Sequence, residues 1–134
     1  MMAESVVPLS VKLGIRNGSV VVILDPPPNL ELDLPPEVSV HRRRAPCDVA
    51  LAFFTSHALL ESRLDALGSM IFPTGGLWIA WPKGSSRVTT DITDHCVREL
   101  ALPRGLVDNK VCAIDETWTG LRLVWRRELR GTQG

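Results

Sequence analysis

The sequence predicts an α/β fold, with one mostly parallel sheet finished by a C-terminal antiparallel hairpin, and three observations carry that prediction. Runs with strand character alternate with segments of helical spacing, the order that builds parallel sheets through crossovers. Val20–Leu24 and Leu77–Trp81 are apolar on both faces, as strands covered on both sides must be. Val111–Ile114 and Leu121–Trp125 are separated only by a short stretch around Glu116–Gly120, so they pair antiparallel.

The elements follow in order. Ser10 caps a short turn through Leu13, which Gly14 ends, and Asn17-Gly18 turns the chain into the first strand. Asp25 closes that strand. Pro26-Pro27-Pro28 lack N–H donors and lock φ, so neither a ladder nor an immediate helix can continue there. Leu30 to Pro36 is irregular, Val38–Val40 reads as a short strand, and Asp48–Phe54 reads as another, ending at Thr55-Ser56, either of which can cap a helix. In that helix Leu60, Leu64 and Leu67 share a face, Glu61, Arg63 and Asp65 turn away, and Gly68 is the expected terminator. Pro73-Thr74-Gly75-Gly76 leads into Leu77–Trp81, which stops at Pro82-Lys83-Gly84. Thr93 is the expected N-cap of the next helix, with Ile92 and Val97 as a hydrophobic staple and Cys96 and Leu100 continuing the apolar face. Pro103 and Gly105 end it, and Asp108-Asn109-Lys110 is expected to precede the following strand.

A chain of 134 residues fits a single domain, 1–134, with an ordered core over about 9–127. Fifteen basic and fifteen acidic side chains cancel, which removes the electrostatic footprint of a general nucleic-acid binder. The run His41-Arg42-Arg43-Arg44 reads as a solvated strand end. Cys47, Cys96 and Cys112 cannot all pair and none has ligand spacing, so reduced thiols are expected. His41, His57 and His95 fall on separate elements without an HExxH-type pair, and no metal is expected. With no leader pattern and no apolar run near the about 18 residues of a membrane span, the expected compartment is the cytoplasm, without membrane association.

Three segments carry a family resemblance. Lys12-Leu13-Gly14-Ile15-Arg16-Asn17-Gly18 before the first strand, Phe72-Pro73-Thr74-Gly75-Gly76 before a later one, and the closing hairpin resemble the framework of a trimmed class I methyltransferase, which implies a single Rossmann-like sheet. In that family the first strand runs into a glycine-rich loop that lets backbone approach S-adenosylmethionine. Here Asp25-Pro26-Pro27-Pro28-Asn29 stands in its place, so no cofactor is expected. A second resemblance covers nearly the whole chain. Ala80-Trp81-Pro82-Lys83, Gly105 to Asp115 and Thr117-Trp118-Thr119-Gly120-Leu121-Arg122 resemble an uncharacterised bacterial family, domain of unknown function 3052, which implies a small bacterial protein but brings no catalytic residues to carry over.

No motif specifies a reaction. Lys83 makes the best candidate, because it follows a buried strand at the end where open α/β sheets form ligand crevices. If Asp25, Thr55, Ser56, Lys83, Ser85 and Ser86 meet there, a lysine, several hydroxyls and the amino terminus of the helix after Ser56 would hold a small anion. Asp108, Asn109, Lys110 and Trp118 form a second candidate patch, in which an exposed indole would anchor a protein partner or a second copy. The expected function is a non-catalytic binding or regulatory module for an acidic metabolite or nucleotide. The alternatives are a protein-interaction module using the hairpin and Trp118, and an enzyme using Lys83 as its catalytic residue.

Overall fold

The computed structural model describes residues 7–131. They form a mixed sheet of six strands: β1 (Val20–Leu24), β2 (Ser39–His41), β3 (Val49–Phe53), β4 (Gly76–Pro82), β5 (Leu106–Ala113) and β6 (Trp118–Trp125). The order across the sheet is β2-β1-β3-β4-β6-β5. The first four strands run parallel, and β6 lies antiparallel between β4 and β5. This is the expected architecture, with β2 beginning one residue later than the apolar signal suggested and β6 three residues earlier, so that Trp118, Thr119 and Gly120 belong to the strand and not to the connection before it.

The two faces are covered differently. Helices α2 (His57–Met70) and α3 (Asp94–Ala101) pack over Val22, Ala50, Leu77, Ile79, Leu121 and Leu123. The other face buries Val21, Ile23, Leu51 and Trp78 under a short helix α1 (Leu9–Lys12), the loop after it, and extended chain carrying Leu30, Leu32 and Leu34. The prolines explain the extended crossover. Asp25 turns out of β1 with φ of 55°, a left-handed angle that few residues other than glycine, asparagine and aspartate adopt, and the prolines after it prevent a helix. Trp78, fully buried, donates its indole N–H to the Leu13 carbonyl at 3.0 Å and so ties the α1 segment to the sheet.

Both long helices start where their caps predict, whereas Ser10 does not cap α1: it lies inside the helix, which starts at Leu9, and its hydroxyl donates to the Asp33 carbonyl at 2.8 Å. Ser56 Oγ accepts the Leu59 N–H at 3.2 Å, and Thr93 Oγ1 accepts the Cys96 N–H at 3.2 Å, with Ile92 and Val97 both buried beside it. Gly68, by contrast, does not end α2, which continues to Met70. Its missing side chain serves close packing: a Cβ there would meet Leu106 at 3.3 Å, and the Gly68 carbonyl accepts the Trp125 indole N–H at 2.9 Å.

A second correction concerns the hairpin. β5 begins at Leu106, so Asp108, Asn109 and Lys110 lie inside the strand and not before it. Leu106 is fully buried against the helix-covered core and draws the strand start back, while the next residues are polar because β5 is an edge strand facing solvent. The register shifts between Asp108 and Lys110, a bulge at Asn109. The hairpin turn is tightened by Asp115 Oδ1, which accepts the N–H groups of Thr117 and Trp118, each at 2.8 Å. Among the described residues no helix is long and apolar enough to cross a membrane, the three cysteines are free, and no cluster of His, Cys, Asp and Glu is placed to hold a metal.

Candidate ligand-binding site

Lys83 follows β4 directly, and its loop is pinned by backbone bonds: the Lys83 N–H donates to Thr117 at 2.8 Å, and the Ser86 N–H donates to the Lys83 carbonyl at 3.0 Å. The side chain borders an open groove of about 540 Å³ at the carboxyl end of β4. Trp81, Pro82, Ile92 and Val111 give it apolar walls, and Thr90, Thr93 and Thr119 add hydroxyls. Asp94 also lines it, but its carboxylate binds Arg98 at 3.0 Å. Arg98 in turn reaches Asp108 at 3.0 Å, and the hydrogen bonds to Asp108 and then Asp94 raise its pKa above the usual arginine value. Among the described residues Lys83 makes no ion pair, so its charge is available to a ligand.

The crevice expected from the sequence divides into separate places. Asp25 sits in a depression of about 340 Å³ with Arg43, Arg44, Phe54 and Arg63, and its carboxylate faces Arg63 at 3.4 Å. The α2 amino terminus, expected to offer N–H groups to an anion, is occupied from within: Asp91 Oδ1 accepts the His57 N–H at 2.7 Å, and Ser56 takes that of Leu59. Thr90 Oγ1 donates to the Thr55 carbonyl at 2.8 Å, so Thr90 and Asp91 together staple that helix end. Ser85 and Ser86 lie on the loop beyond the groove wall, where Ser86 Oγ accepts the Val88 N–H at 3.3 Å. Of the six residues, only Lys83 lines the groove. Thr90, Ile92 and Thr93 were missed, because their place in the groove depends on how the 83–92 loop folds back over β3.

The second patch is also dispersed. Trp118 is half-buried and stacks edge-to-face on Phe53, with centroids 5.1 Å apart, so its indole is not held out to a partner. Asp108 belongs to the Arg98 pair near α3, whereas Lys110 lines a different depression, with Lys12 and Arg122, at the amino ends of the strands. Arg122 joins Lys110 there without a signal in the sequence that marks it as a site residue. Its only sequence signal is a charge between Leu121 and Leu123 in a buried strand.

No protein-family model matches this sequence, and no curated protein does. LepI, solved in complex with SAH and a substrate analogue, shares 15% identity at a TM-score of 0.49, 88% of this chain spanning 39% of that one. The crystal structure of a SAM-dependent methyltransferase from Aquifex aeolicus aligns with a TM-score of 0.57 and 15% identity, covering 84% of this chain and 85% of that one. The Aquifex aeolicus protein is described as SAM-dependent, and the residues after β1 in the present chain do not fit the glycine loop that would approach such a cofactor. They hold no glycine, and three of them lack an N–H. The chain therefore has a methyltransferase-like α/β framework without that family's glycine loop.

Proposed function

We propose that this protein is a non-catalytic binding or regulatory module that takes a small acidic metabolite in the Lys83 groove. The observation that carries the reading is a lysine, without an ion pair among the described residues, bordering a mostly apolar groove of about 540 Å³, a size typical of small-molecule sites. One cation among apolar walls suits a monocarboxylate with an apolar body better than a nucleotide, whose several charges would meet Asp94 as well as Lys83. A catalytic role for Lys83 finds less support, since no second acid or base is paired with it among the described residues. The half-buried Trp118 likewise favours a small ligand over the hairpin as a partner surface. The likeness of Gly105–Asp115 and its neighbouring segments supports membership of domain of unknown function 3052.

Thermal-shift screening of carboxylic acids tests the proposal. A ligand at a hundredfold excess over its Kd should stabilise the fold by about 2.7 kcal/mol. The shift should vanish in Lys83→Ala and persist in Arg43→Ala, whose side chain lines the separate Asp25 depression. Equal losses in the two variants would remove the support for this groove.

A further inference from the structure

At the opposite end of the strands the electrostatics are reversed. A depression of about 470 Å³ is lined by Lys12, Arg16, Lys110 and Arg122, with Asp48 as its one carboxylate. One Asp48 oxygen is already used, accepting the Val20 N–H at 2.8 Å. Arg122 is half-buried on β6, directly opposite Lys110 on β5, and like charges facing each other across strands destabilise a sheet. Its guanidinium lies over Gly76, where a Cβ would overlap it, so the absence of a side chain on β4 makes the bed for this charge. Among the described residues the Arg122 side chain forms no ion pair and no hydrogen bond. Burial, with Arg130 nearby, lowers its pKa from the ordinary arginine value. A recessed guanidinium that shares its depression with three other cations and one carboxylate, and whose own strand partner is a lysine, is a costly arrangement that no ion pair among the described residues offsets.

We propose that this depression is a second site, which binds the phosphoryl or pyrophosphoryl group of a small molecule between Arg122, Lys110, Lys12 and Arg16. A planar guanidinium recessed on a sheet face, with exposed lysine and arginine side chains at the rim, matches a multiply charged oxyanion. Its recessed position suits a small anion that can enter more than the backbone of a polymer. The site shares no lining residue with the Lys83 groove: Arg122 lies over Gly76 at the amino end of β4 and Lys83 follows its carboxyl end, a strand length of about 20 Å apart, and the two depressions come near each other only at Lys110 and Val111.

The test is calorimetric titration of the full chain with inorganic phosphate, inorganic pyrophosphate and ADP, in wild type, Arg122→Gln, Lys12→Gln and Lys83→Ala. Pyrophosphate should bind wild type and Lys83→Ala alike. Affinity should fall about tenfold or more in Arg122→Gln, as expected for loss of a charge-assisted hydrogen bond, and less in Lys12→Gln. Tighter binding of ADP than of pyrophosphate would identify the source as a nucleotide, and the reverse order a free anion. Arg122→Met adds a readout that a purely structural arginine would not give: the unliganded variant should melt higher than wild type while losing the pyrophosphate response. No binding of any of the three anions, equal losses in Lys83→Ala and Arg122→Gln, or binding confined to a polyanion such as heparin would each overturn the proposal. So would a lower melting temperature in Arg122→Met together with an unchanged pyrophosphate affinity.

Discussion

At the carboxyl end of β4 a single lysine faces Trp81, Ile92 and Val111, while at its amino end Arg122 lies over Gly76 among Lys12, Arg16 and Lys110. The two ends differ in how their charges are already committed. At the carboxyl end the chain answers its own positive groups: Asp91 caps α2, Asp25 faces Arg63, and Asp94 holds Arg98. At the amino end the cations outnumber their partners. The lesson is that the end of an α/β sheet where ligands are usually sought need not hold its strongest field, because loop residues can spend that field internally.

The largest expected effect comes from Trp78→Ala. Truncating a fully buried tryptophan should cost about 3 to 5 kcal/mol, read from chemical denaturation. Because the indole also ties Leu13 to the sheet, α1 with Lys12 should loosen, and the response to pyrophosphate should weaken even where the variant remains folded. An unchanged response would separate the amino-end cations from the packing said to position them.

A smaller change should invert part of the contrast. Asp91→Ala removes the carboxylate from the α2 terminus and should destabilise by about 1 kcal/mol, as loss of a helix cap does. It should also give the α2 amino terminus an anion response that wild type lacks there, measured as a phosphate-dependent rise in Tm that survives both Arg122→Gln and Lys83→Ala. If no such response appears, the helix terminus is closed by something besides Asp91.

The smallest effect is in pH. Burial first, then the charge of Asp48, pushes the Cys47 thiol up to about 11 from its ordinary 9.0. Since the folded state favours the neutral thiol, its stabilisation is complete below about pH 9 and is lost as pH rises through about 11. The denaturation midpoint should fall across that window, and Cys47→Ala should flatten the slope. The chain has no tyrosine to titrate there. A steeper fall in the variant would mean that the amino-end cations, and not Cys47, govern the alkaline limit.

The sheet, its parallel centre and its closing hairpin were legible because apolar runs and short connections report burial and chain reach directly. Caps at Ser56 and Thr93 were legible for the same local reason. What failed was everything set by contact at a distance. Gly68 reads as a terminator until Trp125 and Leu106 are seen against it, and the polar Asp108-Asn109-Lys110 reads as a loop because an edge strand need not show its apolar period. Lys83 was found because strand ends are visible in sequence. Asp91 on α2 and Arg122 over Gly76 are meetings across 34 and 46 residues, and no local pattern announces either.

Both margins of the sheet bear on how the protein behaves when crowded with its own copies. Equal numbers of acidic and basic side chains deprive it of the long-range repulsion that keeps many proteins dispersed. Protection must come from the strands at the rims. On one side β2 offers only Ser39–His41 before Arg42, Arg43 and Arg44, all exposed, so an incoming strand finds three residues of ladder and then a block of like charge. On the other, β5 is long enough to template a neighbour, but its bulge at Asn109 breaks the row of hydrogen-bonding groups midway. Restoring a straight ladder there by deleting Asn109 would leave the fold's interior untouched and open a route to fibrous self-assembly.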